Sequence, residues 1–443
     1  MKRGTYDLER LKGRLTKAEC DLSVAREKIS NLSSLIETSN IINSSLDLPT
    51  LLDLIMKIAK KVMKTEASSL MLIDEATKEL VYEVALGEKG KKVKEGFRLK
   101  LGQGIAGWVA KHKRPLLVKD VRSDRRFFPT VDKATGFKTR SILCVPMKVR
   151  GKTIGILEAI NPIKGKPFGR EDVELFSAFA NQAAIAIENA RMHQRLLERQ
   201  RIEQELAIAR QIQQSFLPRV CPRPKGARFF ARNISAREVG GDFYDFIELG
   251  KGRIGVVVGD VSGKGIPAAL YMVKTISEFR NFALLYENAD DTLFAINNSL
   301  VKKGKFGMFV TLFYLILDLK AKSIRFSNAG HPPLIFREGE SDKVRSLEGA
   351  GSSPLGIISN MGYTQEELSL KKGDLLLSYT DGIVEARDSK GKEFTLERLK
   401  ALVRGKSLEP RRVIDEILRE VNAFSKGVAQ HDDLTLLAIS IGT

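Results

Sequence analysis

The chain has 443 residues, 43% of them hydrophobic and 29% charged, with a formal net charge of +19. That length holds two or three domains with sizeable cores, and no apolar run reaches the length of a membrane-spanning helix. Cys20, Cys144 and Cys221 are scattered, so neither a zinc spacing nor a disulfide framework is present, and Met1-Lys-Arg-Gly4 opens no secretory pattern. A cytoplasmic protein is expected. Most of the basic excess falls in residues 46–180 without an aromatic-interleaved stripe, so no nucleic-acid partner and no membrane partner are expected.

Residues 6–40 carry a heptad. Leu8, Leu15, Leu22, Ile29 and Ile36 fall seven apart, and Leu11, Ala18, Ala25 and Leu32 follow three positions later. A sustained seven-residue repeat specifies a left-handed coiled coil, which needs a partner helix. A second copy of the chain is the simplest one, so residues 1–45 predict a coiled-coil homodimer. Residues 46–180 mix helix and strand. A helix is predicted at Leu51–Met63, with strands at Ser69–Ile73 and Leu80–Ala85. A short helix follows at Ile105–His112, then strands at Ser141–Met147 and Thr153–Ile160 around the turn Arg150-Gly151-Lys152. The order of Gly104-Ile-Ala-Gly-Trp108, Asp120-Val-Arg-Ser-Asp124, the Val-Pro hairpin and a terminal helix resembles a GAF domain. The resemblance implies a six-stranded antiparallel sheet backed by helices, and a small-molecule ligand. Asn161, Phe168, Glu171 and Asp172 read as the start of a helix rather than as a nucleotide motif. The lone tryptophan, Trp108, falls in this domain.

A helix runs from Glu171 to about Phe216, and Pro218 marks its end. Met192 and Leu196 lie on one stripe, and Ile202, Leu206, Ala209 and Phe216 on another. The two stripes do not share a register across Glu198–Arg201, and such a slip changes coiled-coil winding. Residues 181–218 are therefore read as a helical coiled-coil linker. The last domain, 219–443, has strands predicted at Ile254–Val258, Val310–Leu317, Ser323–Ser327, Leu334–Phe336, Leu375–Tyr379 and Leu434–Ile441. Its helices are predicted at Pro267–Leu285, Asp290–Val301 and Pro410–Phe424.

Four aspartate clusters lie far apart in this last domain, most of them where an apolar run begins or ends: Gly241-Asp242, Gly259-Asp260, Thr380-Asp381-Gly382 and His431-Asp432-Asp433. Strand ends can converge at one edge of a sheet. Carboxylates gathered there repel one another unless cations hold them, and an all-oxygen donor set suits Mg2+ or Mn2+.

Six blocks occur in order: Glu238-Val-Gly-Gly-Asp-Phe-Tyr-Asp245, Gly259-Asp-Val-Ser-Gly-Lys-Gly265, Phe309-Val-Thr311, Asn328-Ala-Gly-His-Pro-Pro333, Ser378-Tyr-Thr-Asp-Gly-Ile-Val-Glu385 and Asp432-Asp-Leu-Thr435. Together they resemble the SpoIIE-like branch of the PPM (type 2C) metal-dependent protein serine/threonine phosphatases. The resemblance implies an α-β-β-α sandwich binding two Mn2+ or Mg2+ ions, so the whole chain reads as an α+β multidomain protein. It implies Asp260 as the carboxylate bridging the ions, followed by the backbone carbonyl of Val261, with Asp381 on the first ion. Asp432, or Asp433 if the register differs by one, is the last ligand, and Asp242 serves the second ion. The resemblance further implies that Asp260 and Asp381 carry the catalysis, in which water activated by the ions would attack phosphorus in line. The implied substrate is phosphoserine or phosphothreonine on a STAS-type anti-anti-sigma protein.

Two departures from the larger relatives stand out. Their histidine after the bridging aspartate is replaced here by Val261-Ser262-Gly263, so no proton donor is assigned. Arg237 lies in the neighbourhood of their phosphate-binding arginine. Gly240-Gly-Asp-Phe243 lacks the second acid that a diguanylate cyclase signature needs. His193 lacks the acid and proline that follow a phosphoacceptor histidine. The remaining alternative is a non-catalytic scaffold that keeps the phosphatase fold to bind partners.

Overall fold

The computed structural model describes residues 45–86, 97–163, 167–303, 307–349, 353–405 and 409–442, with Leu15, Leu22 and Ile42 isolated before them. Apart from Leu15 and Leu22, both helical and exposed, the predicted heptad over 6–40 lies outside the described residues. Two compact units divide the chain, Met1–Gln200 and Arg201–Thr443.

The first unit opens on helix α1 (Leu48–Met63). Asp47 caps it by accepting the backbone N–H of Thr50 at 3.1 Å, and Pro49 sits where a missing N–H does no harm. Strands β1 (Thr65–Ile73) and β2 (Glu79–Leu86) follow, then β3 (Arg98–Lys100), helix α2 (Gly104–His112) and β4 (Leu116–Val118). A short helix α3 (Thr130–Thr135) precedes the hairpin β5 (Ile142–Val149) and β6 (Lys152–Pro162). Arg150 and Gly151, both at positive φ, close that hairpin where the sequence placed its turn. The six strands form one antiparallel sheet in the order β3-β2-β1-β6-β5-β4. Period-2 alternation feeds both faces. Leu70 and Leu72 of β1 join α1 in one core, while Met71 joins α2 in the other.

Asn161, Phe168 and Asp172 prove structural. The Asn161 side chain accepts from the N–H groups of Arg140 and Ser141 and donates to Glu66, Phe168 is core, and Asp172 accepts the N–H of Gly169 at 2.8 Å. Helix α4 (Arg170–Phe216) spans 47 residues, and the two units divide within it at Gln200/Arg201, where the stripe register slips.

In the second unit two five-stranded antiparallel sheets stack. One holds β8 (Phe243–Gly250), β9 (Arg253–Val261), β10 (Val310–Asp318), β11 (Ser323–Ala329) and β14 (Glu366–Ser369). The other holds β7 (Ala227–Ile234), β12 (Leu334–Arg337), β13 (Val344–Leu347), β15 (Leu375–Tyr379) and β16 (Leu434–Ile441). Alternation again explains the layering. Val256 and Val258 of β9 face the second sheet, with Leu376, Leu437 and Ile439 opposite. Val257 faces out, under α5 (Ile266–Leu285) and α6 (Ala289–Lys303). On the far side Leu375, Leu377 and Tyr379 lie under α7 (Asp381–Val384), α8 (Leu396–Val403) and α9 (Pro410–Phe424). The α-β-β-α sandwich is thus written in strands whose two faces are both apolar, and each such fully buried side chain is worth about 1.5–3 kcal/mol.

Sequence reading left out β7, whose Arg228 and Asn233 break the apolar run, β8, and the short strands β3, β4, β13 and β14. Among the described residues no helix is long and apolar enough to cross a membrane.

Candidate functional site

Strand order brings the aspartates together. Asp242 immediately precedes β8, Asp260 sits near the end of β9, Asp381 follows β15, and Asp432 and Asp433 precede β16. Asp242 and Asp260 come from one sheet, the others from the second. Asp242 joins the two: its buried Oδ2 accepts the hydroxyls of Thr380 at 2.6 Å and Thr435 at 2.7 Å. Thr435 donates its N–H to the Thr380 hydroxyl, and Asn233 of β7 donates to the Thr435 hydroxyl at 2.8 Å.

The carboxylates raise one another's pKa. Burial pushes Asp242 upward, and the charge of Asp260 adds to it. Burial likewise pushes Asp260 upward, reinforced by Asp381, while its hydrogen bond with Asp242 opposes. Asp381 is raised by burial and then by Asp432, with the Lys264 ammonium working the other way. This is a nest of acids short of positive charge.

Asp432 and Asp433 separate clearly. Asp433 is buried, and its carboxylate accepts the backbone N–H of Ala236 at 2.7 Å and of Gly241 at 2.8 Å, which fixes the loop 236–242. Asp432 is half-buried and pairs with Lys264 at 2.8 Å. Lys264 also donates to the carbonyl of His431, and its neighbours Gly263 and Gly265 both take positive φ to carry the turn. Arg237 is exposed on the loop that Asp433 anchors. From the other side Gln213 of α4 clamps that loop, donating to the Gly240 carbonyl at 2.5 Å and accepting the Gly240 N–H at 3.2 Å.

Gly241 tests the fit of the site to a metal. A Cβ there would come within 2.8 Å of the Val261 carbonyl oxygen and 3.3 Å of Asp260 Oδ1, so only glycine leaves those oxygens open. An all-oxygen, self-repelling donor set beside a carbonyl that Gly241 leaves uncrowded fits hard divalent cations. Among the described residues no three acidic, histidine or cysteine side chains stand close enough in this arrangement to share one ion.

His331 plays a different part. It is buried, contacts the Thr311 hydroxyl through Nδ1 at 3.0 Å, and is driven by burial to a pKa of about 3, the Tyr379 backbone opposing, so it stays neutral as packing.

Sequence reading did not assign Thr380, Thr435, Asn233, Lys264 or Gln213. The two threonines stood inside the quoted blocks, but nothing local signals a hydroxyl that reaches a carboxylate 138 or 193 residues away.

Residues 250–442 match the family described as stage II sporulation protein E (SpoIIE), and residues 47–187 match the GAF domain. The chain joins a GAF domain to a SpoIIE-type PPM domain. Over 262 residues it is 30% identical to protein IcfG of Synechocystis sp., covering 53% of this chain and 41% of that one. Over 192 residues it is 29% identical to phosphoserine phosphatase RsbU of Bacillus subtilis, covering 43% and 57%. The chain thus spans about half the length of these relatives. The solved PP2C phosphatase domain and regulatory fragment of SpoIIE from Bacillus subtilis is similar at 25% identity, covering 50% of this chain and 64% of that one, with a TM-score of 0.44. In the SpoIIE-type domain the aspartate nest lies at the strand ends where the two sheets meet.

Proposed function

We propose that this protein is a metal-dependent protein serine/threonine phosphatase. The observation that carries the reading is the mutually repelling nest of Asp242, Asp260 and Asp381, tied across two sheets by Thr380 and Thr435. Two Mn2+ or Mg2+ ions are assigned to Asp260, the Val261 carbonyl, Asp381, Asp432 and Asp242. Bound there, such ions would acidify water and offset charge on the phosphoryl oxygens. The chain's own residues do the rest. Asp260 and Asp381 supply the charge that holds the cations, and Thr380 and Thr435 fix the orientation of Asp242. Asp433 is assigned to organising the loop rather than to the metal, because its oxygens are spent on backbone N–H groups. Arg237, exposed on that loop, is the proposed contact for the substrate phosphate.

The proposed substrate is phosphoserine or phosphothreonine on a STAS-type anti-anti-sigma protein in the cytoplasm. The GAF domain is proposed to regulate the reaction through α4. Exposed Met192 and Leu196 on one stripe, and exposed Ile202 on the next, supply the apolar positions at which a second copy would pair. A purified phosphoserine form of such a STAS protein tests this reading. Mn2+-dependent release of phosphate from it, and none from a phosphotyrosine peptide, is the expected result. Equal release from both would overturn the specificity. A protein lacking residues 1–180 should turn over at a changed rate in the same assay, and an unchanged rate would remove the regulatory role.

A further inference from the structure

The first unit contains a cavity of about 110 Å3 between its sheet and the segment carrying α2 and α3. Its wall is largely apolar, with Tyr82, Leu99, Ile105, Phe127, Phe128 and Ile142 among the lining residues. One group does not belong in such a wall. Glu158, in the middle of β6, is 5% exposed and faces the cavity. Among the described residues the only hydrogen bond to its carboxyl comes from the Ser69 hydroxyl, which donates to Oε2 at 2.5 Å. Oε1 has no hydrogen-bonding partner among the described residues. A buried acid with an idle oxygen is costly unless something completes it.

The surroundings narrow what that is. Cys144 lies opposite Glu158 on β5, Ser69 opposite on β1, and Tyr82 on β2 and Asp132 on α3 stand nearby. Asp132 is already engaged, accepting the N–H and the hydroxyl of Thr139 at 2.8 and 2.7 Å. All of these are neutral or acidic. Of the described residues that line the cavity, none is lysine or arginine, so a phosphate or carboxylate would find no countercharge. The aromatic side chains offer flat faces, and cations are held well by such faces beside an acid.

We propose that this cavity binds a small ring compound bearing a cationic nitrogen group, an amidinium or protonated amine, with Glu158 as the residue that selects it. The ring fills the apolar wall, and the nitrogen group donates to both Glu158 oxygens. This deepens the sensor role proposed for the GAF domain. Its test reads binding and not turnover, so either reading can fail without the other.

Benzamidine is the probe, and the full chain is the sample. Trp108 is the only tryptophan. It stacks on His112 at 4.3 Å, and the Arg126 guanidinium lies 4.8 Å from its ring centroid. Arg126 adjoins Phe127 in the cavity wall, so filling the cavity should change Trp108 emission. A saturable change with benzamidine is expected, with none from benzoate at the same concentrations. Glu158→Gln should weaken benzamidine binding about tenfold or more, the scale of a lost charge-assisted hydrogen bond.

The pH dependence needs no variant. Burial pushes the Glu158 carboxyl up to about 7, the Ser69 hydrogen bond opposing. Only the ionised form pairs fully with an amidinium, so wild-type affinity should rise about tenfold between about pH 6 and about pH 8. Saturable binding that is unchanged in Glu158→Gln or flat across this range would overturn the proposal. So would benzoate binding as tightly as benzamidine, or no saturable binding by benzamidine at all.

Discussion

Asp260→Asn should reduce turnover by about a hundredfold to a thousandfold, the range seen when one group that stabilises transition-state charge is removed. The substitution keeps shape and removes charge. Asp260 is pressed by Asp381, Asp432 and Asp433 and shares a hydrogen bond with Asp242, so it is the carboxylate on which the nest converges. A structural role and a metal-holding role predict opposite thermal behaviour. In the wild type, Mn2+ at about a hundred times its Kd should stabilise the fold by about 2.7 kcal/mol through binding the native state alone. Asp260→Asn should lose most of that gain. Without metal the variant should melt no lower than the wild type, because removing one of several repelling charges relieves the fold. A lower melting temperature without Mn2+ and an intact Mn2+ response would show that Asp260 is structural.

Gly382→Ala is expected to damage stability and activity together. A Cβ on Gly382 would run into the backbone carbonyl oxygen of Asp433, and Asp432 Cβ lies 3.3 Å from the same point. No flexible side-chain end can move aside, so either α7 or the start of β16 must shift. Overpacking of this kind costs about 1–3 kcal/mol. The displaced segments carry Asp381 on one side and Asp432 on the other. A misplacement of roughly 1 Å in such a constellation costs about a hundredfold in rate. Denaturant midpoints and turnover, measured on the same preparation, check this. A variant with wild-type midpoint and wild-type turnover would mean that the close approach of Gly382 to Asp433 does not matter to the site.

What could be read from the sequence follows the range of the signals. Ile254–Val258 and Leu375–Tyr379 announce themselves because strands buried on both faces are apolar throughout, and the aspartates stand out because charge at the end of such a run is conspicuous. The hairpin at Arg150-Gly151 is likewise a local signal. β7 was not legible, since its pairing with β16 sets its place and Arg228, Arg232 and Asn233 interrupt its apolar residues. The different surroundings of Asp432 and Asp433 were not legible either, because adjacent residues differ only in which way the backbone turns them. That turn is set by Ala236 and Gly241, nearly two hundred residues away. Glu158 was hidden for the opposite reason. It sits inside an apolar strand, where one acid reads as an outward-facing position, and only the packed sheet shows it facing inward.

Aryl phosphate hydrolysis, measured with and without Mn2+ on the wild type and on Asp381→Asn, tests the central claim most directly. Turnover that requires Mn2+ and is lost in Asp381→Asn is the predicted result. Turnover that is indifferent to both Mn2+ and Asp381 would contradict the assignment of the site, and absence of turnover in the wild type despite bound Mn2+ would favour a scaffold that only keeps the phosphatase fold.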